Sequence, residues 1–174
     1  MPALIFDVDG TLAETEELHR QAFNRAFADH SVGWQWDETL YRDLLKVTGG
    51  KERILAYAEG RGGMALPDAA RLHAAKTRHY VEAVDGGRLS LRPGIAALIA
   101  EARRRGVALA IATTTSRDNV DSLLAHTLGV DHGFDVIACG DMVPAKKPAP
   151  DIYELAMQML GMPPGECLAI EDSA

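Results

Sequence analysis

Side chains suited to phosphoryl transfer follow each of four short apolar segments in this sequence. In chain order they are Asp7 and Asp9, the hydroxyl run 113–116, the pair Lys146 and Lys147, and the pair Glu171 and Asp172. A carboxylate can attack phosphorus to form an acyl phosphate, but its approach to a dianionic group requires cations to offset the repulsion. Asp9-Gly10 alone is equally typical of a turn, so the interpretation depends on all four groups meeting at one place.

The types of donor indicate how such a site would work. Carboxylate and carbonyl oxygens suit Mg²⁺, which keeps several waters and needs no His or Cys ligand. Hydroxyls and backbone N–H groups at the start of a helix would hold the phosphate oxygens. A second carboxyl would protonate the leaving alcohol and later accept a proton from water. Cys139 and Cys167 have neither disulfide nor metal-ligand spacing, and we expect both to be buried and reduced.

The four apolar segments are predicted to be parallel β-strands that bring these side chains together. They cover residues 3–9, 107–113, 134–139 and 167–170. Helical spacing of apolar residues precedes the last three strands, at 95–105, 119–128 and 151–160, and each helix ends at a glycine. Repeated helix and strand units predict an α/β fold with a doubly wound, Rossmann-like parallel sheet, which binds ligands at the carboxyl ends of its strands.

A long helical insertion separates the first strand from the second. Helical patterns occur at 16–30, 38–47, 52–59 and 68–83. We therefore predict two units: a discontinuous α/β core formed by residues 1–13 and 87–174, and a helical cap formed by residues 14–86.

Composition excludes several classes of protein. Of the 174 residues, 47% are hydrophobic and 25% are charged, which is typical of a folded domain and not of a disordered or repetitive chain. The net charge of -7 and the lack of a long basic stripe argue against nucleic-acid or anionic-membrane binding. No apolar run is long enough to cross a bilayer. We expect a cytoplasmic monomer that acts on a small molecule.

These motifs, in this order, resemble the haloacid dehalogenase superfamily of phosphatases and phosphomutases. The resemblance implies that Asp7 is the nucleophile and Asp9 the general acid and base. It further implies that Thr113 holds phosphate, that Lys147 neutralises charge, and that Asp172 binds Mg²⁺ beside Glu171, with Asp7 and the carbonyl of Asp9 completing the protein ligands. Lys146 competes with Lys147, and the position directly before the proline favours Lys147. The insertion corresponds to the family's type-one helical cap.

Residues 11–19 and 48–53 resemble more narrowly the CbbY subfamily, phosphatases of xylulose 1,5-bisphosphate. This resemblance implies a cap loop in which Lys51 and Arg53 hold the phosphate that is not cleaved, although a solvated basic helix face has the same pattern. The remaining predicted substrate contacts are Glu16, His19, Tyr41, Gly50, Thr114 and Asn119.

Three alternatives remain open from the sequence. A hexose phosphate mutase with the same cap is the nearest rival. A receiver-like signalling domain also forms an acyl phosphate, but it lacks a large insertion after the first strand. The third is an inactive fragment that binds a partner or metal, because relatives continue past the Glu-Asp-Ser motif. If the fourth strand lies beside the first, we expect a fragment with an exposed edge at that strand.

Overall fold

The computed structural model describes residues 2–61 and 68–173, and this part of the chain contains a four-stranded parallel sheet. Its strands are β1 (Ala3–Phe6), β2 (Ala108–Ala112), β3 (Val136–Ala138) and β4 (Cys167–Ile170). Their spatial order is β3-β2-β1-β4, and Ala3 pairs with Ala108 on one side and Cys167 on the other. The predicted doubly wound α/β fold is confirmed, with β4 beside β1.

Helices cover the sheet because successive residues of each strand point to opposite faces. The helices that follow the insertion are α5 (Ile95–Arg104), α6 (Arg117–Thr127) and α7 (Asp151–Leu160). Ile5 of β1 packs in one cluster with Ile152 of α7. The next residue, Phe6, packs in another cluster with Ile99 of α5 and Val120 of α6. Burial on both faces explains the nearly continuous apolar runs of β1, β2 and β3.

Three of the strands are shorter than the apolar segments that predicted them. β1 ends at Phe6 and β3 at Ala138, so the predicted strands 3–9 and 134–139 extend too far. The ladder ends because the chain turns after β1: Leu12 N–H donates to the Val8 carbonyl at 2.9 Å and Gly10 N–H donates to the Ala13 carbonyl at 2.9 Å. The chemically interesting residues therefore lie on loops just beyond the strands.

The described residues of the predicted insertion, 14–61 and 68–86, contain four helices. They are α1 (Glu16–Asp29), α2 (Glu38–Leu44), α3 (Gly50–Glu59) and α4 (Ala69–Asp85). α3 begins earlier than the predicted 52–59, and α2 ends earlier than the predicted 38–47 because residues 45–47 form turns. An aromatic cluster packs these helices together, and its members are Phe23, Phe27, Trp34, Trp36, Tyr41 and Tyr57.

The two linkers between the helical insertion and the sheet run side by side. Ala13 and Leu91 form an isolated antiparallel bridge, and Arg92 N–H donates to the Leu12 carbonyl at 2.8 Å. Adjacent linkers are what a cap inserted into one loop requires. The division of the chain at residues 14 and 86 stays an interpretation consistent with this geometry.

Two further expectations concern membranes and cysteines. Among the described helices, none combines the length and apolar character needed to cross a bilayer. Both cysteines are free, and Cys139 is buried as predicted. The predicted burial of Cys167 is wrong, since this residue is only partly buried on the edge strand β4, where Leu168 is 62% exposed.

Candidate active site

The loops after β1, β3 and β4 bring a lysine against two carboxylates. Lys147 Nζ lies 2.8 Å from Asp7 Oδ1 and 2.5 Å from Glu171 Oε1. Despite burial, these two carboxylates raise the pKa of Lys147 above its ordinary value. Lys146 donates instead to the main-chain carbonyl of Gly140. The geometry therefore favours Lys147 over Lys146 as the lysine facing the predicted nucleophile.

Three carboxylates, those of Asp7, Glu171 and Asp172, form an acidic cluster. One oxygen of each lies within 4.8 Å of the others. Burial raises the pKa of Asp7 to about 7, opposed by the charge of Lys147 and assisted by the nearby Asp9 carboxylate. Only Asp7 of the three is buried, and carboxylates this close together repel one another unless cations offset their charge. A donor set made only of carboxylate oxygens fits a hard divalent cation such as Mg²⁺.

Gly10 allows Asp172 to approach the loop after β1. Its φ of +81° lies in the left-handed region, and a Cβ atom there would lie 2.3 Å from Asp172 Oδ2. The hydroxyl of Thr11 lies 3.5 Å from the other oxygen of Asp172. Arg92 donates to the Gly10 carbonyl and so ties the second linker to this loop. The Asp9-Gly10 pair is thus a turn that also admits a carboxylate from the segment after β4.

Asp9 is held by two donors from the start of the cap. Its Oδ1 accepts hydrogen bonds from Thr15 Oγ1 at 2.5 Å and His19 Nε2 at 2.9 Å. Burial disfavours the charge on Asp9, but His19 and the Thr15 hydroxyl together hold the pKa of Asp9 well below its usual range. Burial and the charge of Lys76 lower the pKa of His19 to about 4, so the ring is neutral at neutral pH and donates through Nε2–H. In this arrangement Asp9 is ionised and accepts both hydrogen bonds.

The residues of the hydroxyl run after β2 lie at different depths from the cavity. Thr114 lines the cavity beside Asp7, whereas Thr113 is fully buried and its Oγ1 accepts the Thr115 N–H at 3.2 Å. Asn119 lies behind this run, with its Nδ2 2.9 Å from Thr115 Oγ1. The predicted substrate contacts of Thr113 and Asn119 stay predictions, and in this structure Asn119 supports the loop.

A cavity of about 1150 Å³ lies between the strand ends and the cap helices. Its core side includes Asp7, Asp9, Thr114, Lys147, Glu171 and Asp172. Its cap side includes the predicted residues Glu16, His19, Gly50, Lys51 and Arg53. At Gly50, a Cβ atom would lie 2.6 Å from the ring of His73, so α4 packs closely against the start of α3. The structure thus brings most of the predicted site residues around one cavity.

Glu16, Tyr41 and Arg53 form a hydrogen-bonded group on the cap side. Arg53 Nη1 donates to the Tyr41 hydroxyl at 3.2 Å, and that hydroxyl also hydrogen-bonds Glu16. Tyr41 is 3% exposed and belongs to the aromatic cluster, and it is not among the residues that line the cavity, so it reaches the site only through its contacts with Glu16 and Arg53. Glu16 Oε2 is buried and has no hydrogen-bond partner. A polar ligand in the cavity would supply the missing donor.

Sequence reasoning missed Thr15 and Lys76. Lys76 is 4% exposed and lines the cavity, with its ammonium 5.2 Å from the Phe23 ring centroid and 5.3 Å from that of Tyr80. Burial lowers the pKa of Lys76 to about 8. The sequence does contain a pattern that indicates the burial of Lys76, because the spacing of Leu72, Lys76 and Tyr80 places them on one face of α4. A lysine on an otherwise apolar helix face is rarely solvated.

Comparison with known proteins decides the family. The model of the haloacid dehalogenase-like hydrolases matches residues 1–174. The chain belongs to this family. As a haloacid dehalogenase-like hydrolase it is a phosphatase, and it is 55% identical to the protein CbbY of Rhodobacter capsulatus over 99% of this chain and 78% of the relative.

Two crystal structures of CbbY from Rhodobacter sphaeroides are similar to this hydrolase along 99% of its chain and 79% of theirs. The complex with phosphate has a TM-score of 0.95 and 54% identity. A substituted form in complex with xylulose 1,5-bisphosphate has a TM-score of 0.95 and 53% identity. The fold expected from the sequence is therefore the fold of these relatives.

Glu16 gives this hydrolase an expected pH dependence of stability. Burial, with the nearby Asp9, raises the pKa of Glu16 from 4.5 to about 7, so the folded state holds this proton more tightly than the unfolded state. The free energy of unfolding should then fall as pH rises between these values, by up to roughly 3 kcal/mol. Glu16→Gln removes this contribution and should be more stable than the unsubstituted protein at about pH 8, with little difference at about pH 4.

Urea unfolding at these two pH values measures the effect. Glu59→Gln is the matched control, because Glu59 is an exposed carboxylate at the end of α3 in the same cap. We expect Glu59→Gln to follow the unsubstituted protein at both pH values. If Glu16→Gln did so as well, Glu16 would not be the group whose proton is retained on folding.

Proposed function

We propose that this protein is a Mg²⁺-dependent sugar-phosphate phosphatase that acts through an aspartyl phosphate on Asp7, with a sugar bisphosphate such as xylulose 1,5-bisphosphate as its substrate. The observation that carries the proposal is the contact of Asp7 with Lys147 inside an acidic cluster, at the floor of a cavity whose cap side carries several basic side chains. The relative solved with xylulose 1,5-bisphosphate supports this choice of substrate.

Asp7, Glu171 and Asp172 would hold the Mg²⁺, together with the carbonyl of Asp9. The fit rests on their converging carboxylate oxygens, the donors that this ion prefers. When bound, Mg²⁺ supplies positive charge that offsets the repulsion between the nucleophile and the phosphate. Lys147, in contact with Asp7, would supply a second positive charge, and it does so without any change of protonation at neutral pH.

The proposed reaction has two half-reactions, in which Asp7 is the nucleophile and Asp9 transfers protons. Asp7 attacks phosphorus, and the bond from phosphorus to the sugar oxygen breaks as Asp9 protonates that oxygen. Water then attacks the aspartyl phosphate, Asp9 accepts its proton, and inorganic phosphate leaves. Thr113, Thr114 and backbone N–H groups at the start of α6 bind the phosphate oxygens. The acid role requires Asp9 to gain a proton and weaken its contacts with Thr15 and His19.

The cap side of the cavity recognises the rest of the substrate. Lys51 and Arg53 bind the distal phosphate beside Gly50, and the buried ammonium of Lys76 adds a third positive charge. Glu16, assisted by Tyr41, accepts a hydrogen bond from a sugar hydroxyl through its unpartnered oxygen. His19 and Asn119 keep their predicted contribution to substrate positioning.

The direct test is phosphate release from xylulose 1,5-bisphosphate, measured with Mg²⁺, after chelation, and after Mg²⁺ is restored. We expect release that chelation abolishes and Mg²⁺ restores. Interconversion of hexose phosphates without net phosphate release would support a mutase instead. Absence of turnover on sugar phosphates and aryl phosphates alike would contradict an enzymatic function for this chain.

The distal-phosphate contacts give a sharper prediction. Lys51→Ala or Arg53→Ala should lower kcat/KM for the bisphosphate by about ten- to a hundredfold, the equivalent of one charge-assisted hydrogen bond of roughly 1.5 to 3 kcal/mol. A monophosphate that places its phosphate at Asp7 should lose much less. Lys46→Ala is the matched control, because Lys46 is an exposed cap lysine with 79% of its side chain accessible.

The Lys51 substitution is easier to interpret than the Arg53 substitution. Lys51 is exposed, whereas replacement of Arg53 also removes its hydrogen bond to Tyr41. Equal losses for the bisphosphate and the monophosphate would mean that these residues act through cap folding or closure. The bisphosphate assignment would then be withdrawn, and the phosphatase assignment would stand on its own test.

A further inference from the structure

Tyr153 lies on the first turn of α7, and its side chain contacts Glu171, a member of the acidic cluster. Its hydroxyl donates to Glu171 Oε1, the same oxygen that accepts the Lys147 ammonium at 2.5 Å. The ring of Tyr153 also faces this lysine, with Lys147 Nζ 4.9 Å from the ring centroid. One side chain therefore contacts both members of the Lys147 and Glu171 pair.

Tyr153 and Lys147 donate to the same oxygen of Glu171, Oε1. A phenol is protonated at neutral pH and can donate only one hydrogen bond, so the contact fixes which oxygen of Glu171 faces α7. Neither Tyr153 nor Lys147 donates to Oε2. The rotation of the carboxylate is thereby restricted, at a position where one oxygen of Glu171 lies within 4.8 Å of an oxygen of Asp7 and of Asp172.

Tyr153 is itself well anchored. Its neighbour Ile152 and the residue one turn later, Ala156, are buried in the cluster under β2 and β3, and Tyr153 packs against that cluster. A tyrosine has few rotatable bonds, whereas Lys147 and Glu171 are long and flexible. A rigid helix residue is thus in a position to order two flexible residues that meet the nucleophile.

We propose that Tyr153 is a positioning residue that sets the orientation of Glu171, and through it of Lys147, towards Asp7 and the bound cation. The inference rests on the proposed function for its kinetic consequence, but its structural part concerns metal affinity and does not require turnover. Tyr153 does not touch the reacting atoms, so its effect is expected to be moderate and to depend on Glu171.

The test is Tyr153→Phe, which keeps the packed ring and removes the hydroxyl. We expect Mg²⁺ to bind about tenfold more weakly in titration calorimetry without substrate, the size typical of losing a group that orients a metal ligand. kcat should fall to a similar extent, with KM for the sugar phosphate little changed. Tyr57→Phe is the matched control, since Tyr57 packs in the distant aromatic cluster of the cap.

A double-substitution cycle separates positioning from simple packing. In a Glu171→Gln background, Tyr153→Phe should cause no further loss of Mg²⁺ affinity, because the group it orients has been altered. A Mg²⁺ affinity unchanged by Tyr153→Phe, or a loss of equal size in both backgrounds, would overturn the inference. If the protein bound Mg²⁺ as expected but hydrolysed no phosphate ester, the proposed function would fail while the positioning role of Tyr153 would still be measured.

Discussion

Asp7→Asn is expected to reduce turnover by at least ~10⁴-fold while the protein remains folded, the size of loss seen when a catalytic nucleophile is removed. The amide has nearly the shape of the carboxylate but cannot form an acyl phosphate. Because Asp7 is a buried carboxyl whose pKa is raised to about 7, its replacement by a neutral group should maintain or raise the thermal midpoint. Steady-state kinetics and thermal unfolding of the same preparation measure both effects.

Trapping of the intermediate tests the same residue directly. When the unsubstituted protein is mixed with a substrate labelled on the transferred phosphate and quenched rapidly in acid, the label should be found on Asp7. Asp43→Asn is the matched control, because Asp43 is exposed in the cap, where it pairs with Lys46. Label attached to another residue, or substantial activity in Asp7→Asn, would disprove the proposed nucleophile.

Asp9→Asn is expected to slow the reaction by about 10²- to 10⁴-fold, the range typical of losing a general acid or base. The loss should be largest for a sugar phosphate, whose alkoxide needs a proton to leave, and smaller for an aryl phosphate with a good leaving group. Asparagine still accepts the hydrogen bonds of Thr15 and His19 through its carbonyl oxygen, so the cap linker should keep its geometry.

Comparison of the two substrates makes this experiment decisive. The ratio of activities on the aryl and sugar phosphates should rise in Asp9→Asn and stay constant in Asp43→Asn, an exposed carboxylate of the cap that pairs with Lys46 outside the cavity. An equal loss for both substrates would show that Asp9 does not protonate the leaving group. Its contribution would then be limited to water activation or to holding the cap linker.

The sequence alone determined the fold class and the set of groups at the strand ends. Both depend on local information: apolar runs of strand length, glycines after helices, and chemical types that follow each run. Since parallel strands all end at one edge of a sheet, Asp7, Lys147 and Asp172 had to come close together once the strands were parallel. The insertion was also evident, because helical spacing fills the long interval between the first two strands.

The tertiary structure decided which atoms meet. The choice of Lys147 over Lys146 depends on a contact with Asp7 across 140 positions of the chain, and two adjacent lysines differ only in the direction in which the loop turns them. The burial of Lys76 and the two donors on Asp9 depend on how the cap helices pack over the sheet. For Tyr153 the sequence predicted only a place in the helix 151–160, because neither spacing nor composition reveals that its hydroxyl reaches a carboxylate in the loop after β4. Residue types and periodicity are properties of a segment, whereas hydrogen-bond partners and pKa shifts arise from distances between segments, which only the folded chain fixes.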